Sequence, residues 1–308
     1  MDRRSFIISG TGALMASACA GPAAMPRGPF FASHGLPIGM QIGLVGPDFF
    51  RDPVGTLRKV REIGYGAIEG ALGMGNPEVI RQQLDDAGLA CTSAGIATFG
   101  PRGTSDMPGM LDAAKKMRLT DVVLLGLPAP ARFKSSNPAN IAVTVLEMVK
   151  ILNGDDYKVS ADFLNATGRV LADNGLHLSY HNHNFELKKF GALSGLEIMI
   201  ENTDPRLVSF EMDVGWVTTS GADPYELFRK YPGRFTQMHV KEAGKATKFN
   251  TDLQITAVPI GTGLIDWPRM LHAAYAAGIR HFYVEQDSPY PLPRLEIAAG
   301  AYAYLSKV

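Results

Sequence analysis

Four times in this chain a helix-like stretch runs into a glycine and a short apolar run follows at once: REIGYGAIE (61–69), DDAGLACT (85–92), ADNGLHLSY (172–180) and YAAGIRHFYVE (275–285). A glycine just past the last turn ends a helix. A short apolar run without strict alternation is a strand covered on both faces. The recurring unit is therefore strand–helix, and its repetition limits the fold more than any single residue does. Strands are expected at 38–44, 67–72, 89–98, 121–127, 176–185, 208–217, 235–241 and 281–287. Between them, Asp52-Pro53, Asn76-Pro77, Asp223-Pro224 and Asp266-Trp267-Pro268 open helices, because a capping side chain followed by proline suits a first turn. Another helix runs from Ser160 to Asn174 and stops at Gly175. Eight such units predict an α/β fold of the (β/α)8 barrel type. A doubly wound open sheet is the competitor, but the GxGxxG expected after its first strand is absent.

The first 35 residues read as an address and linker, and 36–308 as the barrel. Arg3 and Arg4 precede Ser5-Phe6-Ile7, a modest apolar run reaches Ala18, and small residues follow in ASACAGPAA. This is the order of an export signal, with the paired arginines pointing to the twin-arginine route and a periplasmic or extracytoplasmic destination. Cleavage is expected after Ala18 or Ala20. A lipid anchor on Cys19 is the alternative, which Ala16 three places earlier disfavours. Cys91 is then the one other thiol, so the mature chain has no internal disulfide. With 30 basic and 30 acidic residues among 308, there is no electrostatic case for nucleic acid or an anionic membrane. Outside the N-terminus no window has the apolar length of a membrane span.

In a barrel of this type chemistry gathers at the C-terminal ends of the strands. The polar residues there are Glu69, His181, His183, Asp213, His239, Lys241, Glu285 and Asp287. Alternation puts His181 with His183, Glu211 with Asp213, His239 with Lys241, and Glu285 with Asp287. A single histidine or aspartate late in a strand is most often a hydrogen-bonded structural group, and Lys241 with Asp287 can simply pair. Asp213, His239 and Glu285 differ, because they close three successive apolar strands. Burying three ionisable groups together calls for a cation. A mixed histidine and carboxylate set suits one divalent ion such as Mn²⁺, Zn²⁺, Co²⁺ or Mg²⁺.

YHNHNFE, DVGW, MHVKE, IGTGLIDWP and YVEQD occur in this order, each late in its unit. Together they resemble the sugar phosphate isomerase/epimerase family of xylose isomerase-like TIM barrels, from Ile38 to Val308. The resemblance implies one divalent metal held by a glutamate, an aspartate, a histidine and a second glutamate from the fifth to eighth strands. Asp213, His239 and Glu285 match the last three. The fifth strand departs from the pattern with Ser179, His181 and His183. His181 is the candidate for the remaining ligand and His183 for a substrate contact, while Glu186 reaches in only if the chain bends. The resemblance also implies proton transfer by a carboxylate, for which Glu285 and Glu69 are the candidates, with His183 and Lys241 acting on sugar oxygens. Trp216, Phe185, Trp267 and Tyr283 are candidates to stack on a sugar face, although Trp267 suits the core better.

The reaction expected is isomerisation or epimerisation through an enediolate, with lyase or hydratase action on a 3-keto sugar or glycoside as the alternative. A non-catalytic metal-dependent sugar-binding protein is a third reading. No Gly-rich loop backed by Arg or Lys stands at the strand ends, and the export signal points away from cytoplasmic sugar phosphates. A non-phosphorylated substrate is expected. The family resemblance adds a homo-oligomer as an analogy. The long connections 127–157 and 243–262 are expected to cover the active end.

Overall fold

The computed structural model describes residues 28–97 and 106–308. Eight parallel strands close into a barrel in chain order: β1 (Gly39–Gln41), β2 (Ala67–Ala71), β3 (Ala90–Ile96), β4 (Asp121–Leu124), β5 (His177–His181), β6 (Val208–Asp213), β7 (Phe235–Val240) and β8 (His281–Val284). Helices alternate with the strands, including Pro53–Ile63, Pro77–Ala87, Gly154–Ala172, Pro224–Lys230 and Trp267–Ala277. The caps follow the sequence: Asp52, Asn76, Asp223 and Asp266 each accept an amide of the first turn. The helix expected from Ser160 begins six residues earlier, because Asn153 and Asp156 form a reciprocal capping box. The expected export signal and Cys19 lie outside the described residues, and no helix among those described is long and apolar enough to cross a membrane.

Several boundaries differ from the sequence expectation; β1, β4 and β8 end at Gln41, Leu124 and Val284, three residues short of the expected ends. The helix Phe30–His34 belongs with the barrel rather than with a linker ending at residue 35. Its Phe30 is buried edge-on against Phe282 at 5.5 Å and its amide donates to the Val308 carbonyl. β5 stops at His181, and a single 3-10 turn, Phe185–Leu187, follows. β6 stops at Asp213, whose Oδ1 accepts the Trp216 amide at 3.0 Å and so starts a helix, Val214–Ser220. Trp216 therefore sits on a helix.

Register then sets the height of the polar residues. His181 stands opposite Glu211, Gln41 opposite Glu69, and His239 opposite both Asp213 and Tyr283. Between β6 and β7 the pairing slips from Phe210–Phe235 to Glu211–Gln237, leaving Thr236 as an extra residue. Without that bulge Asp213 would face Met238, and His239 would turn to the other side of the sheet.

Outside the barrel, Glu197 ties three elements together. It accepts the Ser194 amide at 2.8 Å, Lys189 at 2.9 Å and Lys230 at 2.8 Å. Burial pushes its carboxyl upward, but Lys230, Ser194 and Lys189 together hold it at about 2. A carboxylate depressed on folding stabilises the fold above its ordinary value of 4.5, and that contribution fades as pH falls toward 2. Glu197→Gln is therefore expected to cost about 1–2 kcal/mol at pH 7. The difference from the parent should shrink between pH 4.5 and 2 in denaturation titrations.

Candidate metal and sugar site

Two histidines and three carboxylates fill the C-terminal end of the barrel interior. Glu69, Glu211 and Asp213 are fully buried, and His181 and His239 nearly so. One ligand atom each from His181, Asp213 and His239 lie within 4.8 Å of one another, and so do atoms of Glu69, Glu211 and His239. His239 belongs to both groups, so its hydrogen bonds decide how they relate. Its Nε2 stands 2.6 Å from Glu69 Oε2 and 3.2 Å from Glu211 Oε2. His181 Nδ1 is 2.9 Å from the same Glu211 oxygen. Each ring thus turns one nitrogen to a buried carboxylate and keeps the other for the cavity side. The two freed nitrogens, His181 Nε2 and His239 Nδ1, are 3.7 and 3.8 Å from Asp213 Oδ2.

This arrangement fits a divalent ion. Nitrogen and oxygen ligands about 2.1 Å from one ion stand roughly 3.4 Å apart in a tetrahedral shell, close to the spacing found. His239 Nδ1 is buried and has no hydrogen-bond partner among the described residues. A carboxylate on the far nitrogen of each ring is the usual support for a metal-bound histidine, fixing its tautomer and raising its basicity. Burial, and then the neighbouring His239, His183 and Lys241, hold His181 well below the histidine range, so its ring is neutral. His239 is the opposite case. Burial lowers it, yet Glu211 and Glu69 outweigh that and raise it well above the usual value. Glu211 is itself pushed up by burial and then by Glu69. Left without an ion, the cluster draws a proton to meet its need for positive charge.

The expected site residues fall into two layers. His181, Asp213 and His239 meet as one ligand group. Glu285 is set apart from it, against the ammonium of Lys241. Lys241 Nζ also lies 2.8 Å from Asp213 Oδ2 and 2.7 Å from Asp287 Oδ2, with the Trp216 ring 5.0 Å away. Burial works against the charge of Lys241, but Asp213, Asp287 and Glu285 hold it firmly protonated. Burial lifts the Glu285 carboxyl to about 7 even though Lys241 pulls it down. Glu69 faces His239, which makes it a supporting group and not one open to a substrate. A cavity of about 190 Å³ opens above the cluster, lined by Gln41, Leu125, His183, Lys241, Glu285 and Asp287 among others.

Several expectations change here. Phe185 does not line the cavity; it is buried behind His183, stacked at 5.9 Å. The chain does bend after β5, but Glu186 turns to the Tyr180 hydroxyl at 2.6 Å and the His183 amide at 2.9 Å. Trp267 is a core residue, fully buried, with its indole N–H donated to Glu242 at 2.7 Å. Tyr283 is likewise buried inside the barrel. Glu211 is legible in the sequence only as the same-face neighbour of Asp213; its signal is an acidic residue between the apolar Phe210 and Met212. The asparagines of HNHN are clasps. Asn182 Oδ1 accepts the Asp213 amide at 3.3 Å, and Asn184 reaches the connection after β7.

If Glu69 supports a metal-bound His239, Glu69→Gln should lower divalent-ion affinity by about 10–100-fold without unfolding the barrel. Titration of Mn²⁺ into the metal-free variant reads this directly, and an unchanged affinity would remove Glu69 from that role.

Comparison with known proteins adds the family. An inosose dehydratase 2 of Bacillus cereus is 31% identical over 94 residues, 30% of this chain and 30% of that protein. The chain spans 30% to 55% of the length of curated relatives of this kind. A sugar phosphate isomerase/epimerase structure from Parabacteroides distasonis superposes with a TM-score of 0.69 at 23% identity, covering 87% of this chain and 93% of the other. A xylose isomerase-like TIM barrel protein of Mycobacterium smegmatis, in complex with magnesium, superposes at 0.62 with 18% identity, covering 89% and 96%. These two likenesses are of fold. The family model described as xylose isomerase-like TIM barrel matches residues 57–307. With its closed barrel and its polar groups at the strand ends, this chain belongs to the xylose isomerase-like TIM barrel family.

Proposed function

We propose that the protein is a divalent-metal-dependent isomerase or epimerase of a non-phosphorylated sugar or keto-sugar. The observation that carries this reading is the junction of two groups in one small cavity: the His181–Asp213–His239 ligand set and the Glu285–Lys241 pair beside it. An ion held by those three residues supplies Lewis-acid polarisation of a sugar carbonyl. Glu285, lifted to about 7, is a base matched to neutral pH. It takes the proton from the carbon beside the carbonyl. The C–H electron pair becomes a C=C bond, and the carbonyl π pair moves to oxygen, giving an enediolate. Lys241 donates to that oxygen as charge develops. His183, pushed down to about 4 by burial and then by Lys241, is a neutral hydrogen-bonding group for a hydroxyl.

Return of the proton to the opposite face gives an epimer, and its delivery to the neighbouring carbon gives an isomer. Expulsion of a β-hydroxyl gives dehydration, a second reading favoured by the match to inosose dehydratases. The absence of phosphate from the substrate is supported by the lining itself. Among the described lining residues Lys241 is the one lysine or arginine. An exported enzyme, as Arg3-Arg4 and the run after them suggest, also meets free sugars rather than their phosphates.

The test is proton exchange. The Mn²⁺-loaded protein, offered ketoses, aldoses and inososes in D₂O, is expected to place deuterium next to the carbonyl of one of them or to release water from it. A protein that binds these sugars but exchanges nothing would be a binding protein, and the enzymatic reading would fall.

A further inference from the structure

The inner cavity is small. At about 190 Å³ it lies below the roughly 300–1,000 Å³ of pockets that enclose larger ligands, and one sugar ring fills it. A second cavity of about 440 Å³ adjoins it, lined by Trp216, Leu253, Gln254, Ile255, Asp287 and Ser288. Asp287 lines both, so the two spaces meet at one carboxylate. Trp216 lines the outer cavity and packs at 5.7 Å on His183, which lines the inner one, with the Lys241 ammonium over its ring.

The outer wall is built rather than incidental. Leu253 holds a left-handed backbone, φ +60°, which a side chain with a β-carbon adopts only when its surroundings force it. Its amide donates to Asn184 Oδ1 at 3.0 Å. Asn184, fully buried in the turn after β5, also donates to the Asn250 carbonyl at 3.0 Å and to its side-chain oxygen at 2.9 Å. Asn250 in turn accepts the amides of Asp252 and Gln254. The same turn that presents His183 to the inner cavity therefore fixes Leu253–Ile255 against the outer one. The lining is half apolar (Trp216, Leu253, Ile255) and half polar (Gln254, Asp287, Ser288). That mixture matches a sugar ring, which has a C–H face and a hydroxyl edge.

We propose that the substrate is a disaccharide, with the reacting ring in the inner cavity and the second ring in the outer one on Trp216. This rests on the reading of the inner site as a sugar site and extends it outward. The full-length protein loaded with Mn²⁺ would be titrated with glucose, galactose, cellobiose, maltose and lactose, and binding followed by calorimetry and tryptophan fluorescence. At least one disaccharide should bind about tenfold or more tightly than its component monosaccharides. Gln254→Ala, at an exposed position, and Ile255→Trp, which fills the outer cavity, should each remove that advantage and leave monosaccharide affinity unchanged. Monosaccharides binding as tightly as every disaccharide would overturn the inference and leave the proposed function standing. Equal weakening of both ligand classes by Gln254→Ala would also overturn it. If no sugar of this panel binds, the inference is overturned, and the proposed function is then decided by the proton-exchange test with ketoses, aldoses and inososes.

Discussion

Lys241→Met is expected to cost the metal-free protein about 3–5 kcal/mol, because it strands buried carboxylates without their cation. The side chain is almost fully buried and reaches Asp213, Glu285 and Asp287 at once. Methionine keeps most of the volume, so the loss is electrostatic rather than a cavity effect. The sign is set by geometry. Asp213 is pushed up by burial, and Lys241 followed by His239 brings it below its ordinary value. Removing the ammonium leaves burial opposed only by the histidine. A divalent ion on His181, Asp213 and His239 supplies charge in the same place, so Mn²⁺ should restore part of the loss, about 2.7 kcal/mol at 100 times its dissociation constant. Urea denaturation with and without Mn²⁺ measures both quantities. A metal-free loss below about 1 kcal/mol would mean that the carboxylates are neutralised by protons and not by Lys241.

The second large effect separates the two histidines of the fifth strand. His181→Ala removes a ligand nitrogen and should weaken Mn²⁺ binding by more than the roughly 100-fold that loss of an outer partner causes. Proton exchange into a bound sugar should vanish with it. His183→Ala should keep the ion, because His183 lines the cavity without belonging to the ligand group. Its loss should appear as weaker sugar binding instead. The reverse pattern would exchange the roles assigned to them.

The barrel was readable because each strand–helix unit carries its own local signals: a capping side chain with proline at helix starts, a glycine at helix ends, and an apolar run after it. The strand ends were read too long where a polar side chain does two things. Asp213 looks like a residue inside a strand in VSFEMDVGWV, yet its carboxylate caps the next helix and ends β6. Alternation correctly placed His181 and His183 toward one space, although the second lies past the end of β5.

What pairs across the barrel was not legible. The Thr236 bulge that brings His239 opposite Asp213 depends on register, which no local pattern encodes. The contacts of Glu285 with Lys241 and of Glu69 with His239 join residues at the ends of different strands, 44 and 170 positions apart respectively. The asparagine clasp on the β7 connection likewise links positions 184 and 250. Such contacts exist only once the barrel has closed.

The ligand group His181–Asp213–His239, at the ends of β5, β6 and β7, carries the proposed function. Its most direct test is anomalous diffraction from crystals of the protein soaked in Mn²⁺. One strong peak is predicted, within bonding distance of His181 Nε2, Asp213 Oδ2 and His239 Nδ1, with Glu69 and Glu211 on the far nitrogens of the two rings. No peak there, or one bound by Glu69 and Glu211 instead, would contradict it.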